Sequence, residues 1–438
     1  MNIQEYLLTG TLSLTVLWNL RKNQWKPLRD LQTRQLKRLK SIVRYAYDYV
    51  PYYHRLFNSV KFKPEDLKDF RDLKKIPITT KTDVHRNHSD FIARGVDTSK
   101  CIEGFTSGST GIPMKTYKNL EASSHEIAFM AYAFLECGMK LTDRFVSTEL
   151  NRRKILPNQV SVRVHRDRNR KKTSPNQVSV YGVGGFVEYL RRIKPDVLYL
   201  RPSDIEDICS NDASGINPRL FFSQSQTVTQ YHRSLVRSSF GLEINDTYGS
   251  AEFNRLAFEC NEHMGLHIIT DSVMMEFLDE EREAVAPGEI GETIVTGLYN
   301  YAMPLIRYNL GDDAVTTDER CSCGRRLPLI KKLMGKTSDT FIMPSGKKVR
   351  WQPFFWDYIH SKPFSISMYQ FIQVKRNKII LRIVKGKEFN LKEIYELREK
   401  MEKGYLSRGE KVTVIVDIVR EIPREESGKR KKIICLVT

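Results

Sequence analysis

The sequence predicts an α/β protein that has a large, multi-layer N-terminal region and a small α+β C-terminal domain. Its 438 residues exceed what a single hydrophobic core usually supports, so we expect more than one domain. From residue 101 onward, helix-like and strand-like segments alternate, as they do in layered α/β folds. The predicted divisions are a helical elaboration of the large region at 1–100, an α/β core at 101–334 and the C-terminal domain at 335–438.

The helices of the large region are predicted from apolar spacing. Residues 29–60 place apolar and basic positions at helical intervals, which predicts helices packed on a larger body. In IPITTKTDVHRN, Pro77 indicates a loop, and Thr82 or Asp83 is a plausible helix start. Farther along, SHEIAFMAYAFLECG predicts a long helix, FVEYLRRIKPDVLYL a helix, turn and strand, and LRPSDIEDI a strand exit and helix.

The hexapeptide PNQVSV occurs twice, at 157–162 and at 175–180, and both copies have basic neighbours. We interpret them as two short strands joined by a basic hairpin tip. A chance local duplication explains the pair equally well, and its isolated spacing does not indicate a repeat fold.

The C-terminal domain is predicted from three consecutive segments after residue 340. KIILRIVKG predicts a strand, NLKEIYELREKMEKGYL a charged amphipathic helix and KVTVIVDIV a second strand, followed by a basic tail. This set suffices for a small α+β domain, with a boundary near 335–339.

The chain is strongly basic. It has 71 Lys and Arg against 52 Asp and Glu, a net charge of +19, which favours anionic partners such as nucleotides, acidic lipids, polyanions or nucleic acid. Much of the charge is concentrated at 151–172, which is either a solvated loop or a docking surface for an acidic substrate. No nucleic-acid-reading motif accompanies the charge, so we do not expect nucleic acid as the partner.

The cysteines and the N-terminal residues indicate the cellular compartment in which we expect the protein. Seven unevenly placed cysteines do not resemble a disulfide framework, and we therefore expect a cytoplasmic, reducing environment. The apolar run at 7–20 is shorter than the roughly 20 residues that a membrane span needs, and it lacks the features of a signal peptide. No transmembrane span is predicted, whereas peripheral contact with a membrane stays open.

The stretch FTSGSTGIP at 105–113 is rich in glycine and hydroxyl residues. Glycines let successive backbone N–H groups point at an anion, but Gly and Ser also form ordinary turns, so composition alone leaves both interpretations open. The stretch has no Gly-Lys pair, which excludes a Walker phosphate loop. Gly335-Lys336-Thr337 fails the same test, because Ile330 stands where the first glycine is required.

Further motifs follow in a definite order. They are DTYGSAE at 246–252, MPLIRYNLGDD at 303–313, LMGKTSDTFIMPSGKKV at 333–349 and SGKRKK at 427–432. Together with VRYAYDYVPYYHRLF, IPITTKTDV, KPDVLYLRPSDI and FECNEHMGLHIITD, this series resembles the adenylate-forming acyl-CoA synthetase and ligase superfamily. Within it, the resemblance is to the phenylacetate-CoA ligase-like branch, which includes capsule-biosynthesis relatives.

The resemblance implies a role for each of these motifs. The phosphates of ATP would be wrapped by Thr106, Ser107, Gly108, Ser109, Thr110 and Gly111. Tyr248 would lie against adenine, Asp312 would accept hydrogen bonds from the ribose, and Glu252 would hold Mg²⁺, which prefers oxygen ligands. Lys336 would also face the nucleotide, and Lys429 on the small domain would approach the α-phosphate and the substrate carboxylate.

The sequence departs from the superfamily pattern at three positions. Ile112 stands where a lysine often precedes the proline, Ala251 replaces a hydroxyl residue, and Lys336 stands where an arginine is common. Each change alters or removes a donor for phosphate, and an ammonium does not reproduce the bidentate fork of arginine.

The implied activity is that of an AMP-forming ligase with a mobile C-terminal domain. Its 101–334 core would bind ATP and a carboxylic acid, form an acyl-adenylate and transfer the acyl group to CoA. An amine or amino sugar is an alternative acceptor that fits polysaccharide biosynthesis. The rival hypothesis is a noncatalytic ligase-fold protein that binds an anionic polymer or nucleic acid through its basic surface. The sequence does not indicate an oligomeric state.

Four further residues have the chemistry of a metal site. Cys260, His267, Cys321 and Cys323 would suit a structural zinc ion, with His263 as an alternative donor. Cys-x-Cys is a less usual spacing for zinc ligands than Cys-x-x-Cys. Partly buried thiols beside a surface histidine explain the pattern equally well.

Overall fold

The computed structural model describes residues 3–106, 113–148, 159–165, 177–337, 340–350, 355, 358, 362, 365–423 and 431–437. The chain divides into two units. The first contains residues up to 145 and residues 245–333, and the second contains residues 161–244 and those from 334 onward. The α/β fold class is confirmed, with a large sheet-containing N-terminal region and a C-terminal region that has its own sheet. The boundaries predicted at 100/101 and 334/335 stay a prediction.

The helices are α1 Ile3–Asn23, α2 Leu28–Tyr49, α3 Pro51–Ser59, α4 Lys81–Arg86, α5 Leu120–Leu135, α6 Gly182–Ile193, α7 Pro202–Cys209, α8 Gln230–Phe240 and α9 Leu391–Leu406. Short 3₁₀ turns cover Pro64–Asp66, Phe70–Lys75, His88–Phe91 and Thr98–Lys100. In the described part of the chain, none of these helices combines the length and the apolar character that crossing a bilayer requires.

The first ten strands are β1 Ile102–Phe105, β2 Lys115–Lys118, β3 Phe145–Ser147, β4 Gln159–His165, β5 Gln177–Tyr181, β6 Val197–Leu200, β7 Leu220–Ser223, β8 Ile244–Ser250, β9 Asn254–Glu259 and β10 Leu266–Ile268. The others are β11 Val273–Leu278, β12 Ile290–Gly297, β13 Tyr308–Thr317, β14 Leu329–Lys336, β15 Thr340–Ile342, β16 Lys348–Arg350, β17 Ile366–Lys375, β18 Lys378–Lys385, β19 Thr413–Ile418 and β20 Ile433–Cys435.

The helices predicted at 29–60 are present as α2 and α3. Helix α2 buries residues at helical spacing, among them Leu31, Leu39 and Val43, and α3 begins with Pro51, which lacks an N–H that the helix would leave unpaired. Helix α4 begins earlier than predicted because Thr80 is its N-cap. The Thr80 hydroxyl and the Asp83 carboxylate close a capping box.

In the first unit the strands follow the order β11-β12-β13-β14-β10-β9-β8. The pairs β11/β12, β12/β13, β14/β10, β10/β9 and β9/β8 are antiparallel. Helices α2 and α3 pack against this sheet through one continuous core that includes Leu39, Tyr53, Leu256 and Val295. The separate antiparallel pair β1/β2 aligns Phe105 with Lys115, the residues that flank most of FTSGSTGIP in the sequence.

In the second unit the strands follow the order β7-β6-β3-β4-β5, with helices α6, α7 and α8 between strands in the sequence. Strands β6 and β7 are parallel, as expected for strands joined through a helix. The QVSV residues of the two copies lie in neighbouring strands, but β4 and β5 are parallel. The predicted hairpin is therefore wrong, because a hairpin joins antiparallel strands only. The connecting residues 166–176 and the basic segment 151–158 lie outside the described residues.

The C-terminal residues form a four-stranded sheet in the order β19-β18-β17-β20, and β15/β16 form a small antiparallel pair. Helix α9 covers a core that includes Phe371, Leu381, Leu397 and Met401. The predicted strand, helix and strand are present as β18, α9 and β19.

Candidate functional site

The residues between Thr106 and Met114, which we call the glycine-rich loop, are flanked by a pair of hydrogen bonds that join the two ends. The backbone N–H of Thr106 donates to the Met114 carbonyl at 3.0 Å, and the N–H of Met114 donates to the Thr106 hydroxyl oxygen at 2.9 Å. The Thr106 oxygen is thereby used as an acceptor, while its O–H can still donate to an anion. The other predicted phosphate-binding residues, Ser107, Gly108, Ser109, Thr110 and Gly111, lie outside the described residues.

The predicted adenine and ribose residues are brought together. Tyr248 near the end of β8 donates its phenol O–H to Oδ2 of Asp312 on β13 at 3.0 Å. Tyr248 is buried, and that burial, followed by the negative charge of Asp312, raises the pKa of its phenol well above the usual value. The phenol therefore stays protonated and holds the Asp312 carboxylate as a donor.

Glu252 lies in the tight turn between β8 and β9. Tyr308, the first residue of β13, has its hydroxyl 3.2 Å from Oε1 of Glu252 and 3.8 Å from Sδ of Met114. Burial and the Glu252 charge both raise the pKa of Tyr308, so it too stays a hydrogen-bond donor. The Tyr308 hydroxyl thus contacts both Met114, at the end of the glycine-rich loop, and Glu252, the predicted magnesium ligand.

The backbone carbonyls of Ala251 and Phe253, on either side of Glu252, each accept a hydrogen bond from a side chain. The ammonium of Lys118, a buried residue on β2, donates to the Ala251 carbonyl at 3.0 Å and forms an ion pair with Glu126 of α5. The phenol of Tyr299 lies 2.8 Å from the Phe253 carbonyl and 3.3 Å from Glu126 Oε1. The two anchors constrain the residues on either side of Glu252.

Gly249 makes the turn sterically possible. A Cβ built at Gly249 would lie 2.2 Å from the carbonyl oxygen of Asn254, a distance that a side chain cannot adopt. The register of β8 and β9 shifts at Tyr248 and Gly249. The glycine of DTYGSAE is thus required by the close approach of two backbone segments.

The motifs IPITTKTDV and IRYNLGD form hydrogen bonds with each other that fix the start of β13. Arg307, which has a positive φ of 45°, forms a bidentate pair with Glu276 at 2.9 and 3.0 Å and donates to the Ile76 carbonyl at 2.5 Å. Thr79 exchanges backbone hydrogen bonds with Arg307 and Asn309. IPITTKTDV and IRYNLGD are therefore structural partners, and the arginine positions the strand that carries Tyr308 and Asp312.

Lys336 ends β14, and Lys429 lies outside the described residues. The chain divides between Leu333 and Met334, so Lys336 belongs to the second unit whereas Tyr248, Glu252 and Asp312 belong to the first. Their predicted shared contact with the nucleotide stays a prediction.

The four predicted zinc ligands form a cluster in the first unit. Cys260 directly follows β9, His267 lies on β10, and Cys321 and Cys323 precede β14; their ligand atoms all lie within 4.8 Å of one another. The Sγ atoms of Cys260 and Cys321 are 3.6 Å apart, and Sγ of Cys323 is 3.5 Å from Nε2 of His267. His263 is outside this group, and its Nδ1 lies 3.5 Å from Glu259 Oε1.

The protonation states of the cluster follow from burial and from Arg325. Burial raises the pKa of Cys260 to about 12 and also raises the pKa of Cys321. Burial acts on Cys323 in the same direction, but hydrogen bonds from the backbone and side chain of Arg325 hold its pKa below the usual value. Burial, assisted by Arg325, lowers the pKa of His267 to about 4. The imidazole is therefore neutral at pH 7, the form that binds metals.

Arg325 also joins the cluster to the N-terminal helices. Its guanidinium donates to Gln24 Oε1 at 2.6 Å and to Glu136 Oε2 at 2.7 Å, and it lies 5.2 Å from the Trp25 ring centre. The segment that carries Cys321 and Cys323 thus contacts the junction of α1 with α2 and the end of α5.

Sequence reasoning identified Thr106, Tyr248, Glu252 and Asp312, which lie in the first unit. It did not identify the three residues that hold them, Lys118, Tyr299 and Tyr308. Tyr308 is part of the IRYNLGD motif, so the sequence did mark its segment as functional. Lys118 and Tyr299 lie in segments whose sequence does not indicate that a lysine is buried or that a tyrosine hydroxyl contacts two acceptors.

Comparisons with known proteins agree with these motifs. Residues 341–435 match the family described as CapK C-terminal domain. The chain is 27% identical over 336 residues to the phenylacetate-coenzyme A ligase of Thermus thermophilus, which covers 72% of this chain and 73% of that protein. It is 24% identical over 376 residues to Protein CapK of Staphylococcus aureus, which covers 82% of this chain and 79% of that protein.

The fold is similar to that of a 2-hydroxyisobutyryl-CoA ligase solved in the postadenylation state with an acyl-AMP. The TM-score is 0.74 at 16% identity, and the match covers 95% of this chain and 91% of that one. At this identity the likeness shows the fold. The sequence relatives, the matched C-terminal family and the motifs in their order make this chain similar, over most of its length, to the phenylacetate-CoA ligase-like branch of the adenylate-forming proteins.

Proposed function

We propose that this protein is an ATP-dependent, AMP-forming acid–CoA ligase. The observation that carries the proposal is the arrangement around β13: Tyr248 bonded to Asp312, and Tyr308 placed between Glu252 and the closed end of the glycine-rich loop. Tyr248 would contribute an aromatic ring and Asp312 a carboxylate acceptor for ribose hydroxyls, and the sequence resemblance implies that residues 106–111 would bind phosphate. The names of the relatives support a CoA acceptor.

In the first half-reaction, a substrate carboxylate oxygen would attack the α-phosphorus of ATP. A new P–O bond forms, the bond to the β-phosphate oxygen breaks, and pyrophosphate leaves. The protein needs no nucleophile of its own, so its contribution is positioning and charge stabilisation. Glu252 is the carboxylate that would hold Mg²⁺, which neutralises charge on the phosphates when bound. The Tyr308 donor and the anchored carbonyls of Ala251 and Phe253 would keep that carboxylate in place.

In the second half-reaction, the thiol of CoA would attack the acyl carbonyl carbon. The C–S bond forms, the thiol proton is lost to solvent, the C–O bond to AMP breaks, and AMP leaves. Rotation of the small domain between the two steps and a role in polysaccharide biosynthesis are further predictions from the sequence resemblance.

The proposal is tested by carboxylate-dependent exchange of labelled pyrophosphate into ATP. We expect one class within a panel of aryl, arylacetic, hydroxy and sugar acids to support exchange, and we expect CoA rather than an amine to give the acyl product by mass spectrometry. The Asp312→Ala variant serves as a control, because it should raise the apparent KM for ATP. Absence of exchange with every acid, together with strong salt-sensitive binding of a polyanion, would instead support the noncatalytic binding protein.

We further propose a structural zinc ion at Cys260, His267, Cys321 and Cys323. A tetrahedral site with Zn–S bonds of about 2.3 Å has sulfur–sulfur edges of about 3.8 Å, close to the 3.6 Å between the Cys260 and Cys321 sulfurs. Four protein ligands leave no open position, which is typical of a structural site. The ion would tie β9 and β10 to the segment that contacts the junction of α1 with α2 and the end of α5.

The zinc proposal predicts about one zinc per chain in purified protein, measured by elemental analysis. Cys321→Ser and His267→Asn should lose the metal and lower the melting temperature by about 5 °C or more, because metal-binding free energy contributes to folding. The matched control is His263→Asn, which changes a neighbouring histidine outside the cluster and should retain the metal. Equal metal content in the His267 and His263 variants, or wild-type protein that folds normally without zinc, would contradict the site.

A further inference from the structure

The outer face of α1 and the start of α2 expose large apolar side chains. The exposed fractions are 68% for Leu14, 62% for Trp18, 50% for Trp25 and 45% for Leu28. We call these four residues the tryptophan patch. Leu14 and Trp18 lie one turn apart on α1, Trp25 lies in the connection after α1, and Leu28 begins α2. Exposed apolar residues scattered singly are common, whereas two exposed tryptophans and two exposed leucines within one short stretch of chain indicate a binding surface.

The orientation of α1 is set by contacts on its opposite face. Ser13 is buried and donates its hydroxyl to the Ser124 carbonyl of α5 at 3.0 Å. Leu20 is buried, and the Asn23 amide lies 3.3 Å from Asp271 Oδ2. Helix α1 is therefore fixed on α5 by its inner face, and the tryptophan patch faces outward because the inner face is already in use.

Cations surround the patch. Nζ of Lys22 lies 5.1 Å from the Trp18 ring centre, and the Arg325 guanidinium lies 5.2 Å from that of Trp25. Arg29 is exposed and Lys26 is half-buried. Among the described residues, no carboxylate forms an ion pair with Lys22, Lys26 or Arg29, whereas the Glu136 carboxylate is already bound by Arg21 and Arg325. Lys22, Lys26 and Arg29 therefore form a positive rim beside the apolar side chains, whereas Arg325 is partly buried and paired with Glu136.

We propose that the tryptophan patch docks this protein on the surface of a bilayer that contains anionic lipids. Tryptophan is favoured at the boundary between headgroups and acyl chains, and helices with one apolar face and flanking Lys or Arg bind there without crossing the membrane. The rim cations would lie among anionic headgroups, which attract them. A second copy of this chain fits the surface less well, because a two-fold contact places the two positive rims against each other.

The test is flotation of the full chain with vesicles of phosphatidylcholine alone or of phosphatidylcholine mixed with phosphatidylglycerol, whose negative surface potential attracts Lys and Arg. We expect binding to the anionic vesicles, reversed by high salt. Trp18→Ala with Trp25→Ala should weaken binding about tenfold or more, since the buried aromatic area is lost. Lys22→Glu with Lys26→Glu should weaken it similarly and only on anionic vesicles.

Two matched variants control for general effects. Leu406→Ser removes an equally exposed leucine at the end of α9, and Lys400→Glu with Lys403→Glu makes the same charge change on that helix; neither should alter binding. The exposed positions let the patch variants fold, which circular dichroism would verify. The proposal is overturned if wild-type protein does not float with anionic vesicles, if the α9 variants lose binding as strongly, or if the patch proves to be a dimer contact that Trp18→Ala with Trp25→Ala dissociates.

Discussion

Replacing Lys429 with alanine should lower the rate of acyl-adenylate formation by about 100-fold to 1000-fold, the range measured when one charge-stabilising donor is removed from an active site. The reason is that the pentavalent phosphorus centre carries extra negative charge, which a mobile cation would stabilise only during adenylation. ATP affinity and acyl transfer from preformed adenylate should change little. Single-turnover adenylation, ATP calorimetry and transfer from synthetic adenylate measure the three quantities separately.

The control for Lys429→Ala is Lys431→Ala, which removes an exposed lysine from the same basic tail. It should leave both half-reactions near the wild-type rate. Equal loss of adenylation and transfer in Lys429→Ala would contradict a role confined to the first step. Equal effects of the two substitutions would show that the tail acts only through its total charge.

The fold class was predictable because its signal is local. The spacing of apolar residues predicts α2, α3, α9 and the strands β18 and β19. Helices α2 and α9 and strand β18 bury the residues that define their patterns, whereas β19 buries Val414 and leaves Ile415 and Ile418 exposed. The direction of β4 relative to β5 was not predictable in the same way. Two identical hexapeptides predict two similar strands, but strand direction depends on the path of the connection, which apolar spacing does not encode.

The candidate site shows a similar division. Tyr248 and Asp312 were each predicted from a motif, but the hydrogen bond between them depends on how β8 and β13 are arranged in the sheet. The grouping of Cys260 with His267 and the two later cysteines likewise depends on the pairing of β9, β10 and β14. Sequence order indicated which residue types belong together, whereas contact distances follow from sheet topology.

Lys118 is the clearest case of a residue that the sequence did not identify. KTYK on β2 is a short strand whose two lysines, three residues apart, lie on opposite faces, and Lys115 pairs with Glu103 at a partly exposed position. Lys118 is instead buried, because Glu126 on α5 supplies a countercharge and the Ala251 carbonyl supplies an acceptor. Both partners are set by tertiary packing, so strand alternation separates the two lysines onto opposite faces without indicating which face is buried.

Replacing Lys118 with methionine should lower the free energy of unfolding by about 3–5 kcal/mol, because Glu126 would be left buried without its partner. Its side chain is 8% exposed and that of Glu126 is 13% exposed, so solvent does little to compensate. Lys118→Met with Glu126→Gln should recover most of this stability, since removing both charges of a buried pair is often neutral. Urea denaturation followed by circular dichroism measures these changes.

The double variant also separates stability from function. We expect it to fold, but without the Lys118 ammonium the Ala251 carbonyl has no side-chain donor and the Glu252 turn is anchored only through Phe253. ATP–pyrophosphate exchange should therefore stay well below the wild-type rate. Lys331→Met is the matched control, because Lys331 and Glu319 form an exposed pair whose loss should cost less than about 1 kcal/mol. Equal destabilisation by Lys118→Met and Lys331→Met would contradict the buried pair. Full exchange activity in the double variant would show that Lys118 stabilises the fold without positioning Glu252.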